Sequence, residues 1–469
     1  MHRGFSAAES RVVLGGVVAL LAMCIAVLHM PAYLPLFAGF FGCTCLAVRR
    51  GFHPRALAQM AVDGVRKAIL PIEMLALIGV LMGLWRLNGT AATVAVYGSA
   101  LVKPRYFALS AFILCALVSM AVGTANGAAS IIGLPLMMLG HAYQLSEGLL
   151  AGAVISGVYL GDRSSLVSSV LHMVAHLTGS DPRTLFRRLA ITLVPAMAVS
   201  VLLYWLIPAG HMDGAGSRDV ASVFQFANGA FPALLAAPAL MILLAVLRVP
   251  ILVNLVLNVV GAATVAVVVQ HTSPALVIRT ALFGCHVAAP SSATPVTVGG
   301  GLASMVGVLL VLVSSTALSG VLSGTGIFEA ALGKWLSNFS SPRRLLIATM
   351  GFSIATGMVA ANQALSVVVP CTLLDRVYRE KGLSRLALAH AVSDSGVIVA
   401  PIVPWSVAAL GPAAILGVSP SAYIPYAFLC WALPVASVAW ILLSQGNCSG
   451  FLPSHCQSLR CCGMVERGR

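Results

Sequence analysis

Long apolar runs without Asp, Glu, Lys or Arg dominate the pattern of hydrophobic and polar positions. Val12 to Val48, Phe107 to Ser146 and Thr280 to Phe328 each exceed the roughly 20 residues that a helix needs to cross the hydrocarbon of a bilayer. Each run must therefore hold more than one span. Dividing the runs at proline, glycine and charged positions predicts about ten to thirteen helical segments. The pattern predicts an all-α polytopic integral membrane protein.

The composition excludes a water-soluble fold. Of 469 residues, 59% are hydrophobic and 9% are charged, and the mean hydropathy is +0.99, values that belong to a membrane protein. Much of the net charge of +14 comes from short connections such as 49–67 and 183–188. That distribution is typical of topology determinants. We therefore expect the lipid bilayer as a partner and no nucleic acid.

The basic residues also predict the orientation of the chain. Arg3 and Arg11 precede the first apolar run, and the basic stretch 49–67 follows two predicted spans. A cytoplasmic N-terminus satisfies both clusters. The first run, Val12 to Met30, lacks a convincing small-residue cleavage site and continues almost directly into the next run. We expect it to be a retained span and not a secretory signal.

A set of landmarks recurs along the chain at a nearly constant spacing of about half its length. Lys103-Pro104-Arg105 matches Ser341-Pro342-Arg343, and Gly123-Thr124-Ala125-Asn126 matches Ala361-Asn362-Gln363. A polar turn and an aspartate follow each amide cluster. Two halves of this kind are typical of secondary transporters, whose substrate site lies near the midplane where the halves meet. We expect two inverted structural repeats with broken helices or re-entrant segments at the midplane.

These landmarks predict five segments of the chain. They are an N-terminal helix pair with a basic cytoplasmic loop (1–67), a first transport repeat (68–210), linker helices (211–300), a second transport repeat (301–443) and a polar tail (444–469). The tail carries Cys448, Cys456, Cys461 and Cys462. Lipidation or metal binding by these cysteines stays open beside a simple solvated tail.

Three acidic residues lie deep inside apolar runs. Asp162 and Asp394 fall in Gly-, Pro- and Ser-broken stretches of opposite halves, and Glu73 follows Pro71 near the start of another run. A carboxylate in such a place is costly unless it handles ions or protons. Na⁺ is bound by carboxylate and neutral oxygens together, so the expected ion site combines both aspartates with nearby hydroxyls and amides. Those neighbours are Thr124, Asn126, Ser164, Ser165, Asn362, Gln363, Ser393 and Ser395.

Each carboxylate also has a structural interpretation. Asp162 is followed directly by Arg163 and could form an ion pair with it. Asp394 has no adjacent cation, which makes it the stronger candidate for ion binding. For Glu73, a proton relay competes with a helix-start carboxylate exposed to headgroup water.

Two other motifs have simpler interpretations. Gly299-Gly300-Gly301 precedes an apolar helix, but no phosphate-binding lysine follows, so we expect a close-packed start of the helix and no ATP site. No nucleophile, base and oxyanion donor occur together at a recognisable spacing. We therefore expect a transporter and not an enzyme, with no cofactor and no metal beyond transported Na⁺. A non-transporting membrane scaffold or sensor is the alternative of another class.

Four stretches together resemble one known family over the region from Ile69 to Leu429. They are Leu77 to Trp85, Ala151 to Ser165, Gly299 to Met305, and Asp394-Ser395-Gly396 leading to Pro401 to Trp405. On these residues the chain resembles the NhaC-type Na⁺/H⁺ antiporter family. The resemblance implies a multi-pass exchanger in the bacterial inner membrane. It would move Na⁺ one way and protons the other, with the two Asp-centred segments as its core and homodimerisation as a family-style expectation.

Several departures from the family pattern leave the substrate open. Thr124-Ala125-Asn126 replaces a Thr-Ser-Trp-like element, and Ser168 to Leu171 replaces a Ser-Asp-Thr-Thr-like element. Ser393 replaces an acidic residue, and Ser406 replaces an Asn. The family also resembles exchangers of malate, lactate or other small organic anions. With fewer acids and an available Arg163, an organic anion or an amino acid coupled to Na⁺ or H⁺ is the alternative substrate.

Overall fold

The structure is a computed structural model. It describes residues 5–28, 30–66, 68–90, 93, 104–142, 145–207, 232–247, 249–287, 296–332 and 341–443. The predicted tail 444–469, with its four cysteines, lies outside these described residues, as do Arg3 and Lys103.

The first half of the chain forms ten helices within the described residues. They are α1 (Ala7–Ala22), α2 (Tyr33–Arg49), α3 (Pro54–Arg66), α4 (Ile69–Leu87), α5 (Phe107–Val122), α6 (Ala125–Ala128), α7 (Leu134–Ala142), α8 (Glu147–Ser164), α9 (Ser169–Thr178) and α10 (Pro182–Leu206). One π-helical turn, Ala129–Gly133, joins α6 to α7.

The remaining described residues form further helices and one pair of strands. They are α11 (Ala236–Val246), α12 (Ile251–Thr264), α13 (Pro274–Phe283), β1 (Cys285–Val287), β2 (Val296–Gly299), α14 (Leu302–Gly324), α15 (Ile327–Leu332), α16 (Pro342–Ala360), α17 (Gln363–Glu380), α18 (Arg385–Val392), α19 (Val407–Leu416), α20 (Pro420–Tyr423) and α21 (Phe428–Leu443). A π-helical turn, Ser393–Val397, and a 3₁₀ turn, Ala400–Ile402, extend α18.

The predicted polytopic helical architecture is confirmed. In the described part of the chain, six helices are long and apolar enough to cross a membrane, and one bent pair, Val407–Leu416 with Pro420–Tyr426, adds a seventh. Six shorter apolar helices of 10–17 residues accompany them. The long and short apolar helices together fall within the predicted ten to thirteen segments. The bent pair is a broken span or a re-entrant segment, because Gly417 and Pro420 interrupt its apolar run.

A short antiparallel ribbon interrupts the helices before α14. β1 pairs with β2, with His286 opposite Thr297, and the β-branched residues of β2 favour this conformation. The ribbon leads into Gly300 and Gly301, whose φ angles are +81° and +78°. The Gly301 N–H donates to the Gly79 carbonyl of α4 at 2.7 Å. The predicted close-packed start of α14 is therefore confirmed, because glycine lets the two backbones touch.

Two helices with aspartates occupy the interior. Every residue of α8 from Leu149 to Ser164 is buried, and 83% of the stretch Arg385–Ile402, which contains α18, is buried. Gly157 and Gly161 of α8 face the backbone of α5, where a Cβ on Gly161 would lie 2.3 Å from the Ser119 carbonyl carbon. The interior position of α8 thus depends on small residues that permit backbone contact.

Helix boundaries in the two halves keep the spacing found in the sequence. Ser146 caps α8 in the first half, and Ser384 caps α18 in the second. The chain turns through left-handed φ values of +77° at Gly123 and +51° at Ala361, and this pair has the same separation along the chain as the two serines. A residue other than glycine is strained at such a φ value, so Ala361 marks a point where the structure requires the helix to end. The inverted relation between the halves stays a prediction.

We expect Gly161→Ala to destabilise the protein by about 1–3 kcal/mol, because the added methyl group must displace the backbone of α5. The matched control is Gly351→Ala in α16, where a Cβ would meet nothing within 4 Å. There the change should stabilise the helix slightly. Thermal unfolding of both purified variants in the same detergent measures the difference. Equal unfolding temperatures would show that α5 and α8 do not need this close contact.

Candidate functional site

Asp162 lies in the last turn of α8, and groups from both halves of the chain hold its carboxylate. The backbone N–H of Ala125, the first residue of α6, donates to Oδ1 at 3.3 Å, and Nε2 of Gln363, the first residue of α17, donates to Oδ2 at 3.1 Å. Nε2 of Gln363 also donates to the Val397 carbonyl at 3.1 Å. Asp162 therefore joins the two helix breaks, although only 5% of the residue is exposed.

A cavity of about 710 Å³ lies against Asp162. Its walls come from α3, α4, α14 and the two helix breaks. The polar residues that line it are Asp63, Thr124, Asn126, Tyr159, Asp162, Ser169, Thr316, Ser319, Ser323, Asn362 and Gln363. At roughly 30 Å³ for each water molecule, the volume is far larger than one dehydrated ion requires. The cavity can therefore bring a hydrated ion to Asp162.

The charges of the cavity wall have one sign. Asp63 and Asp162 supply carboxylates, and no Lys, Arg or His occurs among the described residues that line the cavity. Such a wall attracts cations and repels anions, most strongly where apolar surroundings lower the local dielectric.

Four predicted neutral ligands line this cavity together with Asp162: Thr124, Asn126, Asn362 and Gln363. Oδ1 of Asn126 is buried and accepts no hydrogen bond from the described part of the chain. Oδ1 of Asn362 instead accepts the Ala364 N–H at 2.8 Å and so caps α17. Buried polar atoms normally have partners, so the Asn126 oxygen beside Asp162 is a candidate ligand for a cation or its water.

Asp394 lies in a different environment. Arg163 donates from Nε to Oδ1 of Asp394 at 3.1 Å and also from Nη2, and both side chains are fully buried. Nε2 of His390 lies 3.1 Å from Oδ2 of Asp394. The alternative in which Arg163 pairs with Asp162 is therefore wrong, because neighbouring residues on a helix point in different directions. Asp394 has no adjacent cation in the sequence but two basic neighbours in space.

Further side chains enclose this pair. Oγ1 of Thr192 lies 3.3 Å from Nη2 of Arg163 and 3.2 Å from Nε2 of His390. The Trp440 ring packs edge-on against His390 at 5.3 Å, and the Arg188 guanidinium lies 4.6 Å from the Trp440 ring centroid. Helices α8, α10, α18 and α21 therefore meet at Asp394, and none of these side chains lines the cavity.

The four predicted serine ligands do not line the cavity. Ser164 accepts a hydrogen bond from Nη1 of Arg163 at 2.7 Å, and Ser165 donates to a carbonyl of α5 at 2.6 Å. Ser395 donates to a carbonyl of its own helix at 2.6 Å, and Ser393 is 2% exposed beside it in the π-helical turn. Three of the hydroxyls thus form hydrogen bonds that hold the helices in place. The role of all four serines in ion binding stays a prediction.

Glu73 is exposed in the second turn of α4 and does not line the cavity. Its side chain therefore lies on the surface of the chain. Its role as a proton relay stays a prediction.

Two groups, one beside Asp394 and one on the cavity wall, were not assigned to the ion site from the sequence. His390 lies four residues before Asp394, the spacing that places two residues on one helix face, so helical periodicity was an available signal. Asp63 is the only acidic residue in the basic stretch 49–67, which was also visible. The pairing of Arg163 with Asp394 had no local signal, because the two residues lie in different halves.

The fold and the site together define a polytopic helical membrane protein with two buried carboxylates at broken helices, the architecture of secondary ion transporters. A model of the Na⁺/H⁺ antiporter family matches residues 157–444. The chain belongs to this family.

Curated relatives cover nearly the whole chain. The Na⁺/H⁺ antiporter NhaC of Bacillus subtilis (strain 168) is 28% identical over 421 residues, which cover 88% of this chain and 93% of the relative. NhaC of Alkalihalophilus pseudofirmus is 27% identical over 442 residues, 92% and 95% of the two chains. A malate-2H⁺/Na⁺-lactate antiporter of Bacillus subtilis is 25% identical over 429 residues, 90% and 91% of the two chains.

We expect Arg163→Gln or Asp394→Asn alone to destabilise the protein by about 3–5 kcal/mol, because each leaves a buried charge without its partner. The double variant should lose much less than the sum of the single losses. Unfolding of all three variants in detergent gives this coupling. The control is the exposed pair Arg376 and Glu380, 2.7 Å apart on α17, whose removal should have little effect. Simple addition of the two single losses would contradict a direct pair.

Proposed function

We propose that this protein exchanges Na⁺ for H⁺ across a bacterial inner membrane, and that Asp162 is the carboxylate at which the two ions compete. The observation that carries this proposal is the position of Asp162. It lies at the meeting point of both helix breaks, against a cavity whose described charged groups are all acidic. The names of the NhaC relatives support the same pair of ions.

Competition for one carboxylate is sufficient for coupled antiport. When Asp162 is deprotonated, its oxygens can bind Na⁺ together with Oδ1 of Asn126, which has no hydrogen-bond partner in the described part of the chain. Thr124 lies at the same break. The amide of Gln363 can offer its oxygen once Nε2 leaves the carboxylate. When Asp162 is protonated, the negative charge that holds Na⁺ is lost. The carboxylate therefore carries either ion but not both.

Asp394 has a different role in this proposal. Its charge is already compensated by Arg163, and neither side chain reaches the cavity. A compensated pair gains little from Na⁺ and would lose a strong partner to bind it. We assign the pair to hold α8 against α18, so that Asp162 stays at the crossing of the breaks. This assignment reverses the preference for Asp394 that the sequence alone suggested.

The remaining features of the proposal follow from the same architecture. Transport proceeds by alternating access, with the two halves moving about the site between them. The site only binds and releases Na⁺ and a proton, so the proposal includes no enzymatic step and no cofactor. The basic stretch 49–67 supports a cytoplasmic N-terminus.

The described cavity wall gives the organic-anion alternative less support. A cationic side chain is one group that can bind a carboxylate substrate, and the sequence offered Arg163 for this purpose. In the structure Arg163 is buried and paired with Asp394, and the described cavity wall has no other cation.

We expect Asp162→Asn to abolish Na⁺-driven proton movement in sealed liposomes with an imposed pH gradient, because the neutral amide can neither release a proton nor offset the charge of Na⁺. Asp162→Glu should retain a reduced rate. A fluorescent pH indicator inside the liposomes follows the gradient while Na⁺, Li⁺, K⁺ or malate is added in turn. Glu380→Gln, at the exposed C-terminal end of α17, is the control and should behave as the parent protein.

The outcomes separate the competing functions. Collapse of the gradient by Na⁺ or Li⁺ alone, lost in Asp162→Asn, supports the proposal. Collapse of the gradient only when malate is present would show that the protein is an anion exchanger. No response to any solute would support the scaffold interpretation. Parent-like exchange by folded Asp162→Asn would show that another group carries the ions.

A further inference from the structure

We propose that Asp63 on α3 is the selectivity-determining carboxylate at the mouth of the cavity, and that the hydroxyl-bearing face of α14 conducts cations from Asp63 to Asp162. The part of this proposal that concerns Na⁺ rests on the proposed function. The cation-selective path itself does not depend on that function. One of the two experiments that test the path therefore requires no transport.

Helix α3 packs against α14. Leu57 and Ala61 of α3 are buried, whereas Asp63 is exposed, so α3 is an amphipathic helix with one packed face. A Cβ on Gly64 would lie 2.2 Å from the Thr316 carbonyl oxygen of α14. A Cβ on Gly320 would lie 2.2 Å from the Met60 carbonyl oxygen. The two backbones therefore touch, which fixes Asp63 at one position relative to α14.

The face of α14 next to this contact is polar. Thr316, Ser319 and Ser323 follow a spacing of three and four residues, which places them on one side of the helix, and all three line the cavity. Oγ of Ser323 is buried and makes no hydrogen bond with the described part of the chain. Hydroxyls in an otherwise apolar wall can replace part of the water shell of a cation.

Asp63, Asp162 and the three hydroxyl-bearing residues of α14 all line this one cavity. The Asp63 side chain is 54% exposed, and its contact with Arg66 is long, at 3.8 Å, with Arg66 itself 72% exposed. An exposed ion pair of this length contributes little energy, so the Asp63 carboxylate can still attract other cations. Of the charged side chains described on α3, Asp63 alone lines the cavity. Arg55 and Arg66, the other charged residues described on α3, therefore do not line the mouth of the cavity.

An acidic mouth on a low-dielectric wall raises the local concentration of cations and repels anions. Its removal should weaken the capture of ions and leave the later steps unchanged. We expect Asp63→Asn to raise the KM for Na⁺ by about threefold to tenfold at low salt with kcat unchanged, and the effect to shrink as an impermeant salt screens the charge. The double variant Asp63→Asn with Arg66→Gln removes any effect of the Arg66 guanidinium, which loses its carboxylate partner in the single variant. Glu380→Gln, an exposed carboxylate with its own arginine partner, is the matched control.

The second measurement uses thiol reagents that do not cross membranes. Ser319→Cys places a thiol on the wall of the path, and the rates of its modification by cationic and anionic methanethiosulfonates are compared from each side of the membrane. The parent protein, with exposed Cys45, gives the background rate. We expect the cationic reagent to react at least about threefold faster than the anionic reagent, from the side of α3 only. This preference should fall when Asp63→Asn is added.

The outcomes of the two measurements decide the proposal. A cationic preference that depends on Asp63 supports the path even if Na⁺ is not transported, in which case the proposed function fails alone. Equal rates for the two reagents, a preference that survives Asp63→Asn, or an unreactive thiol in Ser319→Cys would overturn the proposal. A change in kcat with constant KM in Asp63→Asn would also overturn it, because Asp63 would then act after capture.

Discussion

The attachment of one buried carboxylate to both halves of the chain is the interaction on which the rest of the site depends. Asp162 accepts hydrogen bonds from the first residues of α6 and α17, and each of those helices begins where a longer apolar run is broken. A broken helix exposes unsatisfied backbone groups inside the membrane, and these need partners. Asp162 satisfies one of them and orients a side chain from the other half. The same carboxylate that could bind a cation thus also holds the breaks together.

The second aspartate shows how a membrane protein can contain two buried charges of the same sign without using both in the same way. Asp394 is compensated by Arg163 and contacts His390, and the cluster is closed by Thr192 and Trp440. A buried pair of this kind is costly to form and costly to break. It links α8 to the π-helical turn that extends α18. Asp162, in contrast, lines the cavity, where the described wall has no basic side chain to neutralise its charge. Hydroxyl and amide side chains share that wall.

The charge of the cavity wall depends on which side chains reach it. Arg163 is adjacent to Asp162 in the chain, yet it points away from the cavity and is enclosed. The described wall therefore has carboxylates, hydroxyls and amides but no cation. If the Arg163 guanidinium faced the cavity, the same residues would favour an organic anion. A rotation of about 100° between successive residues of one helix thus places Asp162 at the cavity and Arg163 away from it.

Several features were determined by the sequence alone. Apolar runs longer than a bilayer required many helices, and Gly, Pro and Ser placed the breaks beside Asp162, Thr124 and Asn362, because these effects are local in the chain. The tertiary structure decided the rest. It paired Arg163 with Asp394, left Asp162 and Asn126 at the cavity, turned Ser164 and Ser165 to packing and placed Glu73 on the surface. Pairing between the two halves of the chain depends on how helices cross, and the order of residues along the chain does not specify which side chains meet there.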